Sequence, residues 1–443
     1  MSHYKPYPAY RDSGVEWVGR VPDHWEIKPI CRLASCNDDS LPENVHPDQV
    51  LRYVDISSVN HTDGITDVAE MRFADAPSRA RRKAKAGDVV ISTVRTYLKA
   101  VAAVTETHAD CTYSTGFAVL RPRLSEVESP FLKWLALNDL VIQAIEAHSE
   151  GLSYPAINAP ELVKLKAVVP PRTEQTAISA VLDRETARID ALITKKTRFI
   201  ELLKEKRQAL ITHAVTKGLD PNVKMKDSGV EWIGEVPEHW EISKLAYTTR
   251  EAGGKTPDTK NQAYWDGNVP WVSPKDMKQS EIVDAIDKIS DAAVSDCGMK
   301  LFEPGTILAV VRGMILAHSF PVAELKVPAT INQDMKALEP DKRIRPNYLR
   351  LILETAKDYV VSVLVAEAAH GTRVLRTDVW RQLPALLPPV DEQDLILAEL
   401  DRVITMYAKL VQKVECSIAL LKERRSALIT AAVTGQIDLR EAA

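Results

Sequence analysis

Cysteine is scarce in this chain and unpaired in pattern. Five residues in 443 (Cys31, Cys36, Cys111, Cys297, Cys416) form no C-x-x-C motif, which argues against a disulfide framework and against a structural zinc site. They read as small buried hydrophobes in a reducing compartment. Long apolar runs are missing too. The opening MSHYKPYPAYRDSG has no apolar targeting core and no stretch of 18 apolar residues follows, so the expectation is a cytoplasmic protein without a membrane partner. Charge of a single sign is also lacking, with 57 Lys+Arg against 61 Asp+Glu and a net value of -4. No chain-wide field advertises a nucleic acid, and any basic surface has to be local.

Complete catalytic signatures are absent as well. Gly254-Lys255-Thr256 imitates the end of a phosphate-binding loop, but the glycine needed five positions earlier is Thr249, and Pro257 follows where a helix should start. Pro22-Asp23 with Glu26-Ile27-Lys28 is a compressed nuclease-like pattern whose lysine becomes Ser243 in a second copy of the segment. Two intervening residues are too few to place acids on separate metal-bearing strands. Neither Pro-Pro pair has the flanking residues of an adenine clamp, and no H-x-x-x-H or G-x-S-x-G occurs. The chain itself is therefore expected to have no catalytic residues, no metal site and no bound cofactor.

What is present is a duplication. Asp12–Ile27, DSGVEWVGRVPDHWEI, returns as Asp227–Ile242, DSGVEWIGEVPEHWEI, with 13 of 16 positions identical. The register of 215 grows to 218 and then holds. Tyr53 falls against Trp271, Gly87 against Gly305, Phe117 against Met335 and Pro170-Pro171 against Pro388-Pro389. Residues 200–220 and 418–438 match at 14 of 21 positions. Each half thus opens and closes alike and differs in the middle, which is one fold carrying two surfaces.

The middles contain short β-branched runs such as Asp88–Arg95, Gly116–Arg121 and Thr306–Arg312, followed by single helical stretches at Pro130–Glu146 and Pro346–Val365. This is a mixed α/β (α+β) pattern. The ends differ in kind. Ile404, Tyr407, Val411, Val414, Ile418, Leu421, Arg425 and Leu428 step by 3 and 4, and Thr186, Ile189, Ile193, Lys196, Ile200, Leu203, Arg207 and Leu210 repeat the stripe. Such spacing predicts a coiled coil between two long helices, each arm about 50 Å long at 1.5 Å per residue. The division expected is an opening segment 1–27, a first domain 28–168, a central region 169–242 with a helix at about 172–217 and the second signature at 227–242, a second domain 243–386, and a closing region 387–443 with its own long helix.

Arg72 to Lys99 holds eight cations against Asp75 and Asp88, a local +6 that suits DNA phosphates and base edges. The DNA-binding candidates of the first half are Arg81, Arg82, Lys83, Arg95, Tyr97 and Lys99, with Ser153 and Tyr154. Those of the second half are Lys255 and Thr256 in a glycine-rich loop, Lys275, Arg312, Gln333 beside Asn332, and His370, Thr372 and Arg373.

These residues together resemble a known family, the specificity subunits of Type I restriction–modification systems. The resemblance rests on the two S-G-V-E-W-x-G-x-V-P-x-H-W-E-I openings and on Gly253-Gly254-Lys255-Thr256-Pro257 with Tyr264-Trp265 and Val269–Ser273. Asn332-Gln333-Asp334-Met335 and the P-P-x-x-E-Q entry to each long helix add to it. It implies two pseudo-twofold-related target-recognition domains, joined by two long antiparallel coiled-coil helices and reading a bipartite, asymmetric double-stranded DNA target in defence against foreign DNA. It further implies two modification subunits that use S-adenosylmethionine to methylate adenine, and two restriction subunits that use ATP and Mg²⁺ to translocate and cut. One departure stands out, because the first domain has Asp38-Asp39-Ser40-Leu41-Pro42 in place of the glycine-rich loop. Outside this resemblance, a stand-alone DNA nuclease or methyltransferase and a coiled-coil scaffold that ignores DNA are the competing readings.

Overall fold

The computed structural model of the chain describes residues 4–15, 17–368 and 371–441. The chain divides into two compact units, the first made of residues 1–197 and 414–443, the second of residues 198–413. Two long helices, Arg172–Lys217 and Val390–Val433, each contribute one part to each unit. No helix among the described residues is long and apolar enough to cross a membrane.

In the first unit a four-stranded antiparallel sheet runs in the order Val101–Ala103, Val89–Ser92, Phe117–Pro122, Ala34–Cys36. Beside it stands a five-stranded sheet in the order Asp39–Ser40, Ala80–Lys83, Thr112–Ser114, Val50–Val54, Ala69–Arg72. Val89, Val90 and Ile91 are all buried, which is why this run is continuously apolar and not alternating. In the second unit the five-stranded sheet is Thr249–Gly253, Met335–Pro340, Ile307–Val310, Val322–Leu325, Glu281–Ile282, and a three-stranded sheet accompanies it.

The register seen in the sequence is the register of the strand ladders. Val89 faces Leu120 in the first unit and Ile307 faces Leu338 in the second. The one parallel pairing described in the first unit sets Thr112 against Tyr53, and its counterpart sets Thr330 against Trp271. Each pair is displaced from its twin by 218. A one-residue slip would turn every buried side chain outward, so matching ladders mean matching cores.

Each unit is seated on its helix by the same joint. A strand of the signature, Glu26–Pro29, pairs antiparallel with Lys166–Val169, and Glu241–Lys244 pairs with Pro384–Leu387. Trp25 is 1% exposed, and its indole N–H donates to Glu174 Oε2 at 3.0 Å. His24 Nε2 lies 2.7 Å from the other oxygen of Glu174, and the Tyr7 hydroxyl donates to Oε2 at 2.9 Å. The second unit repeats the core of this arrangement, with Trp240 Nε1 and His239 Nε2 at 3.1 and 2.8 Å from Glu392. The neighbouring glutamines point the other way. Gln175 Oε1 accepts from the Glu128 backbone N–H at 2.8 Å while its amide donates to Glu126 O and Pro170 O. Gln393 does the same with Arg345 N–H, Arg343 O and Pro388 O. Of the four tryptophans in the two signatures, Trp25 and Trp240 are buried, whereas Trp17 and Trp232 are only half-buried. Trp232 instead stacks on Tyr359, with centroids 5.8 Å apart.

The long helices run antiparallel within each unit. Ile178, Val181 and Leu182 share a buried cluster with Leu428, Ile429 and Ala432, and Ile211, Ala214 and Val215 share one with Ile396 and Leu400. The expected stripe is buried or half-buried except at Leu210, which is 37% exposed. Ile211 takes its place, because here the helix turns its apolar face from a two-helix seam to the unit's own core. The straight 3.6-residue period then replaces 3.5.

The seam arginines differ in fortune. Arg425 meets Asp190 at 3.0 Å, but the position equivalent to Asp190 in the second unit is Ala408, and the buried Nε of Arg207 has no partner among the described residues. Ala408→Asp should therefore stabilise the second unit by about 0.5 to 1 kcal/mol, seen as a higher denaturant midpoint. An unchanged or lowered midpoint would contradict the register.

Three expectations need correction. Both helical stretches break. Asn138, fully buried, ends the first helix at Ser129–Ala136 and caps the next, Asp139–Ala147, by accepting from Leu140 N–H. At the equivalent point Ala356 closes Pro346–Thr355, and a π-turn at Val360–Leu364 follows Lys357–Tyr359. The cysteines are not uniformly buried either, since Cys111 is, but Cys31 and Cys416 are exposed and Cys36 and Cys297 half-exposed. The third correction concerns the basic run.

Candidate nucleic-acid interface

In the first unit the core strand Val89–Ser92 leads into a loop whose backbone turns twice through left-handed conformations, at Arg95 (φ 52°) and Lys99 (φ 50°), around a short 3₁₀ turn Thr96–Leu98. Such conformations cost a non-glycine residue about 1–3 kcal/mol and persist only where the surroundings impose them. A second loop does so here. Val94 bridges Ala156, Ile157 N–H donates to Thr93 O at 2.9 Å, and the Thr96 and Ser149 hydroxyls meet at 2.9 Å. The second loop folds back on itself through a bridge between Glu150 and Ala156, with Gly151 at φ 105°. The two loops together expose Arg95, Tyr97, Ser153 and Tyr154, with Lys99 half-buried beside them. The Arg95 guanidinium lies 5.4 Å from the Tyr154 ring centroid. Among the described residues neither Arg95 nor Lys99 makes an ion pair.

The second unit builds the same pair of loops. Arg312 bridges Val374, Leu375 N–H donates to Val311 O at 2.8 Å, and Gly313 (φ 134°) donates to Arg373 O at 2.9 Å. Val94 and Ala156 thus correspond to Arg312 and Val374. Arg312 is exposed, Thr372 is half-buried, and Arg373 pairs with Glu367 at 3.1 Å. His370 lies outside the described residues.

Lys255, Thr256, Lys275 and Gln333 form a separate group. The backbone of the glycine-rich loop lies on the Ile331–Gln333 segment so closely that a Cβ on Gly254 would stand 2.1 Å from Ile331 O. Lys255 N–H donates to that carbonyl at 3.0 Å, and the Trp271 indole N–H donates to Lys255 O at 2.9 Å. The Thr256 hydroxyl donates to Gln333 Oε1. Lys255 Nζ donates to Cys297 O and Gly298 O, both at 2.9 Å, and Lys275 is paired with Asp287. The exposed Thr256–Gln333 pair offers donors and acceptors to a ligand, while both lysines already have partners within the chain.

Three cations of the basic run, Arg72, Arg79 and Lys85, are paired with acids, most of them outside the run, and others are held without one. Arg72 pairs with Asp75 at 3.0 Å and approaches Asp48, Arg79 pairs with Asp55 at 2.9 Å, and Lys85 lies 3.9 Å from Asp39. Lys83 Nζ donates to Asp110 O and Cys111 O at 2.8 and 3.0 Å, and burial pushes its pKa below the usual lysine value. Arg81 stacks on Phe73 at 4.9 Å, and Arg82 is half-buried. These three sit on the strand Ala80–Lys83, between Asp39–Ser40 and Thr112–Ser114, and not on the loop pair. Counting only Asp75 and Asp88 overstates the local charge, because folding brings in Asp39, Asp48 and Asp55.

Apolar residues on the loop pairs escaped sequence reasoning. Leu98 and Leu152 in the first unit, and Met314 and Ile315 in the second, are exposed. Their signal was available, since Leu152 and Met314 each follow a glycine at positive φ, a place where the chain turns outward. No group of His, Cys, Asp and Glu among the described residues is arranged to hold a metal ion.

The family model described as Type I restriction modification DNA specificity domain matches residues 237–416. The chain is similar to the specificity subunit of the Type I restriction enzyme EcoR124I/EcoR124II of Escherichia coli, 30% identical over 213 residues, or 46% of this chain and 48% of that one. It is also similar to the specificity subunit of the Type I restriction enzyme MjaIX of Methanocaldococcus jannaschii, 34% identical over 37% of this chain and 38% of the relative. The matched part therefore spans about half or less of these relatives' lengths. In fold, it resembles a chain solved in work on complex assembly and conformational transition of the type I R-M system, with a TM-score of 0.69 at 23% identity, covering 94% of this chain and 99% of that one.

Proposed function

We propose that this chain is a Type I restriction–modification specificity subunit, a reading that the matches to that family support, and that it reads a bipartite, asymmetric DNA target with one half-site for each unit and leaves catalysis to partner subunits. The observation that carries this reading is the pairing of equal frames with unequal faces. The ladders and loop pairs of the two units share one register, yet Arg95, Tyr97 and Tyr154 of the first are matched by Gly313, Ile315 and Thr372 of the second. Two copies of one scaffold with different side chains at the same exposed points suit two different sequences.

Base edges are read by side chains presented on supported loops, and phosphates by unpaired cations. Arg95, Lys99 and Arg312 fit these roles. Linking two modest readers raises affinity through effective concentration, and a helical frame between them would fix the separation of the half-sites. In this reading the chain docks two modification subunits, which hold S-adenosylmethionine, and two restriction subunits, which use ATP and Mg²⁺.

The test is to exchange residues 28–168 for the corresponding domain of a relative and map the methylated sequence in the assembled complex. One half-site should change while the other stays. A change in both, or in neither, would overturn the reading.

A further inference from the structure

The first unit places an arginine where the second places a glycine. Arg95 corresponds to Gly313, and around it Lys99 and Tyr154 correspond to Ala317 and Thr372. Arg95 is held differently from the carboxylate-paired arginines of its unit. Arg72, Arg79 and Arg121 are each paired with carboxylates. Arg95 is exposed, makes no ion pair among the described residues, and has its guanidinium over the face of Tyr154 at 5.4 Å. The cation–π contact restrains the group and uses none of its N–H donors. The left-handed backbone at φ 52° and the bridge between Val94 and Ala156 fix where the side chain starts.

A planar guanidinium with its donors free offers two parallel N–H groups to two acceptors lying in one plane. In the major groove that pair is O6 and N7 of guanine, the commonest base contact of arginine. We propose, on the basis of the DNA-specificity reading above, that Arg95 reads a guanine in the half-site bound by the first unit, and that the second unit has no counterpart to this contact.

The test uses the full chain, alone and with its modification subunits, to select duplexes from a randomised pool. The wild-type consensus should contain a guanine in one half-site. In Arg95→Ala the preference for that base should fall about tenfold or more, with the other half-site unchanged, and Arg95→Lys should recover only part of it. Replacing that guanine with 7-deazaguanine, which lacks N7, should weaken the wild type and leave Arg95→Ala unaffected. The wild-type half of this arm needs no variant, so a folding defect cannot imitate its result. Uniform weakening of all sequences in Arg95→Ala, with the consensus intact, would make Arg95 a phosphate contact and overturn the proposal, as would indifference of the wild type to 7-deazaguanine. If the wild type selects no sequence in either form, the specificity reading itself fails and this assignment falls with it.

Discussion

Trp25→Ala is expected to lower the stability of the first unit by about 3–5 kcal/mol, the range for truncating a large buried aromatic. Two losses combine. The cavity left by the indole is bordered by Tyr7, whose ring centroid lies 5.6 Å away, and by the turn at Gly435, where a Cβ would already stand 3.1 Å from the indole. Glu174, only 6% exposed, would also lose one of its donors. Trp25→Phe separates the two, since it keeps most of the packing and removes the N–H, and should cost about 1–3 kcal/mol. Trp240→Ala should act similarly on the second unit. With two units in the chain a single two-state transition is not assured, so the measurement is hydrogen exchange of the strands Lys166–Val169 and Pro384–Leu387. Each variant should deprotect its own strand. A loss below about 1 kcal/mol for Trp25→Ala would mean that the signature does not anchor the unit.

Arg121→Ala is the second large effect, at about 3 kcal/mol, because it strands a buried charge. Asp88 is 2% exposed, and its carboxylate accepts from Arg121 Nε and Nη2 at 3.2 and 2.9 Å. The same guanidinium holds Asp39 at 2.7 Å, in the segment that replaces the glycine-rich loop. The second unit has Thr306 and Glu339 at the positions of Asp88 and Arg121, so its core does without the pair. Asp88→Thr combined with Arg121→Ala should therefore cost less than Arg121→Ala alone, since no unpaired carboxylate remains. Equal or greater loss in the double variant, followed by denaturant unfolding, would show that Arg121 acts through packing and not through charge. Acid should weaken the same contact. Arg121 holds the Asp39 carboxyl below the usual aspartate range. A depressed folded pKa contributes stability above the unfolded value of about 3.9, and that contribution is lost as pH falls through the folded one.

The repeat made much of this architecture legible before any coordinates. A fixed register between dissimilar segments can survive only if both halves keep the same strand pairing, and the ladders at Val89–Leu120 and Ile307–Leu338 are that pairing. The seam of the long helices was equally plain, because a stripe repeating every 3 and 4 residues has few other uses. What escaped were features decided by distant partners. Nothing local to Arg72 or Arg79 announces Asp48 or Asp55. Asn138 breaks a helix where the apolar period runs on, and its side chain accepts there from both Leu140 N–H and the Thr430 hydroxyl. The loop at 149–157 has no periodicity, so Ser153 and Tyr154 could be named as candidates but not placed beside Arg95. The bridge that joins them is a tertiary fact.

Gln175 and Gln393 have a consequence for inheritance. Outside their own helices' entry turns, each hydrogen-bonds the domain it supports through main-chain atoms, namely Glu128 N–H and Glu126 O in one case and Arg345 N–H and Arg343 O in the other. Every amino acid except proline supplies that N–H and all supply that C=O. These bonds are thus indifferent to the side chains of whatever they hold, and under the proposed function a domain acquired by recombination at its borders would keep them without a compensating mutation. A new DNA specificity, on that reading, would find this part of the grip already in place.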